Sequence, residues 1–261
     1  MNIKISLIKK LRKLTGLGVY HCKKALLKNN NDIDDSINYL RKIGELKVYK
    51  KISNKVFNGA VFVEVNKNSG AILKLSCETD FVSRNILFIE FGKKIINYMI
   101  LNKNGNINFL KDKFNKSIKK LIVKFNENII IKKCFYLQSN NILSCYLHGN
   151  KIAVLVEGKK CSLKMIKKIA MHIAASNPEY ISIDDVPKKI IKDEYNIQMK
   201  IALNEGKSLN ISENIVKGRM KKFINNITLM GQDFIFENKK SVYDILSGNN
   251  SKILSFIRYK I

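Results

Sequence analysis

The tetrapeptide Thr79-Asp80-Phe81-Val82 offers a hydroxyl and a carboxylate for hydrogen bonding beside a phenyl ring for apolar contact. It lies at a corner. Before it, Ala71 to Cys77 alternates like a strand; after it, Phe88, Phe91, Ile95 and Met99 recur at helical spacing along Asn85 to Ile100. Corners between strand and helix are surface loops on a rigid scaffold, where partner contacts collect. Asp80 is a candidate N-cap for the coming helix. Phe81 either tucks into the core or stands out as a contact residue.

Covalent chemistry is the first alternative to weigh. Cys77, Asp80 and His148 are the residues from which a Cys-His-Asp nucleophile would be assembled, but no glycine-rich oxyanion loop or nucleophile elbow surrounds Cys77. The chain reads as no enzyme. Neither G-x-x-x-x-G-K-[ST] nor G-x-G-x-x-G occurs, so no bound nucleotide is expected. Five cysteines, Cys22, Cys77, Cys134, Cys145 and Cys161, include no C-x-x-C pair and no histidine at metal spacing. Free, mostly buried thiols in a reducing compartment follow, with no metal and no cofactor. His21 and His172 fall inside helical patterns and read as packing or surface residues.

At 261 residues and 46% hydrophobic, the chain is long enough for more than one domain. A formal net charge of +27 predicts attraction to something acidic. The basic residues are scattered over every segment, as coding drift in an AT-rich gene would leave them, whereas a dedicated nucleic-acid stripe would be gathered. The first residues lack the apolar stretch of a signal peptide, and no run approaches 18 uncharged apolar residues. A cytoplasmic protein without a membrane partner is expected.

The elements that must position the corner can be read in order. Residues 1–44 form three short helices: one with Ile5, Leu7, Ile8, Leu11 and Leu14 on a face, ending at Thr15-Gly16-Leu17-Gly18; one over about Tyr20 to Lys28; and one capped by Asp32 and terminated by Gly44. Residues 45–55, with Lys47, Lys50, Lys51 and Lys55, read as a basic linker partly continuing the helix. In 56–140 a hairpin, Val61 to Val65 and Ala71 to Leu75, is followed by the corner helix, a helical pattern over Phe109 to Lys124 and a strand at Ile129 to Phe135. The pattern repeats in 141–181 with strands at Leu143 to Leu147 and Ile152 to Val156, then a helix from Leu163 to Ala175. Two similar α+β subdomains follow from this repetition. Between Pro187 and Met230 two amphipathic helices joined near Gly206 make an antiparallel hairpin inserted as 182–230, with a stripe of Ile215, Met220, Phe223, Ile224 and Ile227. In 231–261 the chain returns to the second subdomain through a strand at Gln232 to Phe236, a helix near Val242 to Leu246 and a strand at Leu254 to Tyr259.

Four ordered motifs carry a family resemblance. Leu11 to Gly16 with Cys22-Lys23-Lys24-Ala25-Leu26, then Thr79-Asp80-Phe81-Val82, then Met171-His172-Ile173-Ala174-Ala175-Ser176, and finally Glu213 to Phe223 resemble bacterial elongation factor Ts, in its order and spacing almost end to end. The resemblance implies an α+β fold with an N-terminal three-helix bundle like ubiquitin-associated domains, and a factor that releases GDP from elongation factor Tu. It implies that Phe81 is a wedge entering an apolar pocket of the GTPase domain, beside Asp80, whose polar contacts disturb the magnesium and phosphate environment; Thr79 and Val82 complete the motif. Arg12, the apolar pair Val19 and Tyr20, Lys51, and His148 with Gly149 match further partner-contact positions. Phe125-Asn126 stand where the family commonly has a smaller apolar residue and glycine. The hairpin is implied to mediate a homodimer. Longer members carry a C-terminal helical module that also touches elongation factor Tu, and the resemblance implies a chain without it. A basic RNA-binding protein of the translation apparatus is the alternative from another class; charge favours it, but no aromatic platform or named motif is visible, so no specific nucleic-acid partner is expected.

Overall fold

The computed structural model describes residues 5–15, 17–205, 209–237 and 239–261. Three helices open the chain, α1 (Ile5–Thr15), α2 (Val19–Lys28) and α3 (Ile33–Ile52). Asp32 caps α3 as its position predicts, its carboxylate accepting from Asp35 N–H at 2.7 Å. The small core of this bundle is Leu11, Cys22, Ala25, Leu26 and Leu40, flanked by half-buried Leu7 and Ile8. Ile5 and Leu14 of the expected face remain exposed, because α2 and α3 cover only a narrow stripe of α1. Gly16, part of the expected turn, lies outside the described residues.

Gly44 does not end α3. The helix runs through it to Ile52, so most of the expected 45–55 linker is helical. Tertiary packing overrides the glycine signal: a Cβ on Gly44 would sit 3.3 Å from Val123, on a later helix packed there, and Val48 one turn further on is buried in the main core. The bundle is thus joined to the rest of the chain by a continuous helix.

Two antiparallel sheets follow, with one topology used twice. Strands β1 (Asn58–Val65), β2 (Ser69–Cys77) and β3 (Ile129–Gln138) make the first, with α4 (Asp80–Arg84), α5 (Ile86–Leu101) and α6 (Ile107–Phe125) between β2 and β3. Strands β4 (Ile142–His148), β5 (Ile152–Lys159) and β6 (Lys252–Lys260) make the second, with α7 (Leu163–Ser176) after β5. In both sheets the third strand pairs with the second, and a register shift falls close to its start, at Lys74/Leu75 and at Glu157/Gly158. Period-two alternation sorts the faces. Ala60, Phe62, Ala71, Leu73 and Leu75 pack under α5 and α6, while Val61 and Ile72 meet Ala153 and Leu155 of the opposite sheet. The order of layers is helices, sheet, sheet, helix, an α+β architecture.

The excursion out of the second unit begins after a 3-10 turn at Ile183–Asp185 and consists of α8 (Lys188–Asn204) and α9 (Leu209–Ile227). Gly206, the expected junction, lies outside the described residues. These helices have their own core of Ala202, Val216 and Met220 with Ile191, Met199 and Phe223. The stripe residues Ile215, Ile224 and Ile227 are only half-buried. The excursion ends at Ile227, short of Met230: Thr228 bridges Tyr180, and Leu229 is fully buried against α7 and α10 (Val242–Ser247). The expected strand at Gln232 to Phe236 is absent. That segment is a turn with a single bridge, Asp233 to Ser241, because the buried His172 of α7 takes Ile235 N–H on Nδ1 at 3.5 Å.

Candidate functional site

The corner after β2 is a five-residue helix, α4, fixed at both ends. Thr79, not Asp80, is its N-cap, with Oγ1 facing Val82 N–H at 3.5 Å, and Asn85 caps the next helix by accepting from Leu87 N–H at 3.0 Å. Ser83 Oγ donates to Asp80 C=O at 2.8 Å. Val82 turns inward and is buried, so it supports the corner from below. Phe81 turns outward and is 84% exposed. An isolated phenyl ring facing water on a turn with two caps has no packing reason for its place, and a contact surface supplies one. Beside it, half-buried Asp80 pairs with exposed Arg84 at 2.9 Å.

Beneath the corner lies a polar network that sequence reasoning missed. Glu127, just past α6, accepts the Thr79 hydroxyl on Oε1 at 2.5 Å and the Thr79 N–H on Oε2 at 3.0 Å. Glu78 takes Asn54 Nδ2 on both oxygens (3.1 and 3.0 Å) and Asn128 N–H on Oε1 (2.6 Å), while its own carbonyl accepts from Asn58 Nδ2 at 2.9 Å. Asn128 Nδ2 then donates to Ile52 C=O (3.0 Å) and Asn54 C=O (2.8 Å), closing the C-terminal end of α3 onto the corner. Such acid and amide residues, far apart in the chain, leave no periodic signal. Asn126 is legible in retrospect: it ends α6 in the left-handed region at φ 58°, which asparagine tolerates where glycine is the usual choice.

The remaining expected contact residues fall into two groups. His148 ends β4 and Gly149 opens the tight turn to β5, both exposed, with Gly149 at φ +52° and Tyr146 Oη 3.2 Å from His148 Nδ1. This turn approaches the corner's sheet, since Asn150 C=O accepts from Val61 N–H at 2.9 Å and the charge of Lys151 acts on the Cys77 thiol. Arg12, Val19 and Tyr20 are exposed on α1 and α2, a separate patch that α3 connects to the body; Tyr20 is 70% exposed. Lys51 is half-buried in the last turn of α3, near the Asn54 and Asn128 network.

The Cys-His-Asp arrangement is not assembled. Cys77 points into the helix-side core, where burial and then the Glu127 charge push its thiol up to about 12, and its S–H donates to Thr79 C=O at 3.1 Å. All five cysteines are free. Among the described residues no group of three His, Cys, Asp or Glu side chains is placed to hold a metal ion, and no helix is long and apolar enough to cross a membrane.

The chain can now be set beside known proteins. The sequence model of the family described as Elongation factor TS matches residues 78–261, which takes in the corner, the last strand of the first sheet, the whole second sheet and the helical excursion. Elongation factor Ts of Buchnera aphidicola subsp. Baizongia pistaciae (strain Bp) is 43% identical over 260 residues, covering 100% of this chain and 97% of that relative. The proteins of the same name from Photorhabdus laumondii and Yersinia pestis (strain Pestoides F) are 41% and 40% identical over 261 residues, covering 99% of this chain and 92% and 91% of theirs. With the anchored Thr79 to Val82 corner in place and matches of this extent, the chain belongs to the elongation factor Ts family.

Proposed function

We propose that this protein binds elongation factor Tu in the cytoplasm and promotes release of its GDP, without covalent chemistry and without a cofactor of its own. The observation that carries the reading is Phe81, 84% exposed on a turn that Glu127, Asn85 and buried Val82 hold in place. A ring fixed in this way loses little conformational freedom when it enters a partner's pocket. Its burial is worth about 1.5–3 kcal/mol, roughly ten- to hundredfold in affinity. That is too little to displace a tightly held nucleotide alone, so the other exposed surfaces, Arg12, Val19 and Tyr20 on the bundle and His148 and Gly149 on the β4–β5 turn, supply the remainder. Asp80 reaches the partner by sharing or leaving Arg84.

Exchange then follows from linkage. A factor that holds the nucleotide-free partner more tightly than the GDP form must have its own binding weakened by GDP by the same factor. The test is release of a fluorescent GDP analogue from a bacterial elongation factor Tu. Substoichiometric amounts of this protein are expected to speed release catalytically; unchanged release in the presence of folded protein overturns the reading.

A further inference from the structure

At the head of α6 the fold stacks two aromatic rings from different helices. Tyr98 of α5 and Phe109 of α6 lie nearly parallel, 6.4 Å between centroids and 19° between planes, and Lys113 Nζ stands 5.5 Å from the Tyr98 ring centre. Phe109 is the outer ring, 44% exposed. From it, Lys113, Lys116, Lys120 and Lys124 follow at intervals of three or four residues, which sets all five side chains along one face of the helix. Each of these lysines is exposed, and none forms an ion pair with another described residue. Asp112 is the one acidic residue of α6. The row extends about 22 Å at the rise of an α-helix.

We propose that Phe109 and the row Lys113, Lys116, Lys120 and Lys124 form a binding surface for single-stranded RNA, with an unpaired base stacked on Phe109 and the lysines along the phosphates. An exposed ring beside a cationic track is the arrangement that holds single strands with little regard to sequence. A duplex keeps its bases inside the stack and cannot use the ring. A membrane surface fits less well, because the apolar face that would enter lipid, Leu110, Phe114 and Ile122, is already buried in the core. Scattered lysines from coding drift explain the net charge, but not an aromatic platform in register with four lysines that form no ion pair with a described residue. The ring end of this surface lies at the opposite end of α6 from Glu127 and the Phe81 corner, and the inference does not depend on the exchange reading.

The test is fluorescence anisotropy of a labelled 12-nucleotide single-stranded oligouridylate RNA with the full chain, from 50 to 200 mM KCl. Four phosphate contacts predict a slope of about −2.8 in log K against log salt, a loss of about fiftyfold over that range. Phe109→Leu keeps an apolar contact with Tyr98 but removes the ring; it should weaken binding by about 5- to 150-fold at an unchanged melting curve. The combined reversal Lys116→Glu, Lys120→Glu and Lys124→Glu should weaken binding more than tenfold and flatten the salt slope. An equal reversal at exposed Lys9 of α1, Lys67 of the β1–β2 turn and Lys221 of α9 should change it less than twofold. The proposal is overturned if the second reversal weakens binding as much as the first, or if Phe109→Leu binds like the parent. It is also overturned if duplex RNA binds as well as the single strand, or if phosphatidylserine vesicles are bound and RNA at 50 mM KCl is not. Should the row reversal unfold the chain, Phe109→Leu decides alone.

Discussion

Glu127 grips Thr79 with both carboxylate oxygens, one on the hydroxyl and one on the backbone N–H. A residue in the loop between α6 and β3 thereby fixes the first residue of the corner motif. Because both acceptor sites serve Thr79, Glu127→Ala removes the two anchors together and leaves that N–H to water. The expected cost is about 1–3 kcal/mol of stability, read as a melting point several degrees lower. GDP release should slow as well, since the base under Phe81 loosens. Glu127→Gln, which keeps one acceptor, should fall between. Unaltered exchange by a Glu127→Ala protein would show that the clamp serves the fold alone.

Phe81→Ala separates contact from scaffold. The ring meets water in the free protein, so its loss should change stability by no more than about 0.5 kcal/mol. Nucleotide release from elongation factor Tu should fall by an order of magnitude or more at the same melting temperature. Asp80→Ala acts by another route, through polar contacts and the Arg84 pair, and should weaken exchange less. A Phe81→Ala protein that exchanges normally would remove the ring from the mechanism.

The sequence made the strands and long helices legible because each buries one face with a clean period: Ala71, Leu73 and Leu75 inward under helices, Ile72 toward the other sheet. Phe81 stands out in the sequence but its direction does not, since a single aromatic in a turn has no period to show which way it faces. Three local signals misled. Gly44 marks a close approach to Val123 and not a helix end; Asp80 stands one residue past the true cap, Thr79; and the apolar run at Phe234 and Ile235 was drawn into a turn by His172. Glu78, Glu127 and Asn128 were invisible because a polar network joins residues that only the fold brings together. The Tyr98 and Phe109 pair was hidden for the same reason, each ring reading as an ordinary member of its own helix.

His172 gives the protein a pH dependence of known sign. It is fully buried in α7, its Nε2–H donating to Gln232 Oε1 at 3.0 Å while Nδ1 takes Ile235 N–H, with Phe234 5.7 Å away. Burial lowers its pKa below the ordinary 6.5, and the Gln232 bond opposes that only in part. The folded state therefore resists the proton that the unfolded state accepts. The stabilisation is complete above about pH 6.5 and is lost as pH falls through that value toward the folded pKa. Melting temperature should drop between pH 7.5 and pH 5.5. In His172→Gln the absolute value will be lower, but the drop over this interval should shrink; an equal drop would place the titration elsewhere.

The helical excursion can be tested as a separable body. α8 and α9 bury Ala202, Val216 and Met220 against each other, in a cluster distinct from the core around α7, so their removal opens no cavity beneath the second sheet. The cut must stop short of Ile227, whose C=O accepts from Glu179 N–H at 2.8 Å and from Tyr180 N–H at 3.0 Å. Leu229 is fully buried with Phe234 and Val242, and the backbone around it is tied to the strap before the excursion, Leu229 N–H to Tyr180 C=O at 2.8 Å and Met230 N–H to Ile181 C=O at 2.9 Å. Excision of residues 187–226 with a short glycine-serine bridge should leave a folded core whose melting temperature is within a few degrees of the parent. Extending the excision through Met230 removes a buried leucine and both ties, and should destabilise by about 2–5 kcal/mol. The exposed apolar residues that go with the hairpin, among them Ile197, Ile201 and Ile211, are the surface on which a second copy would pack. Sedimentation should accordingly show less self-association for the shorter excision at equal concentration. If the parent is monomeric at all concentrations, the dimer role fails; if the shorter excision already unfolds, α8 and α9 are part of the main core after all.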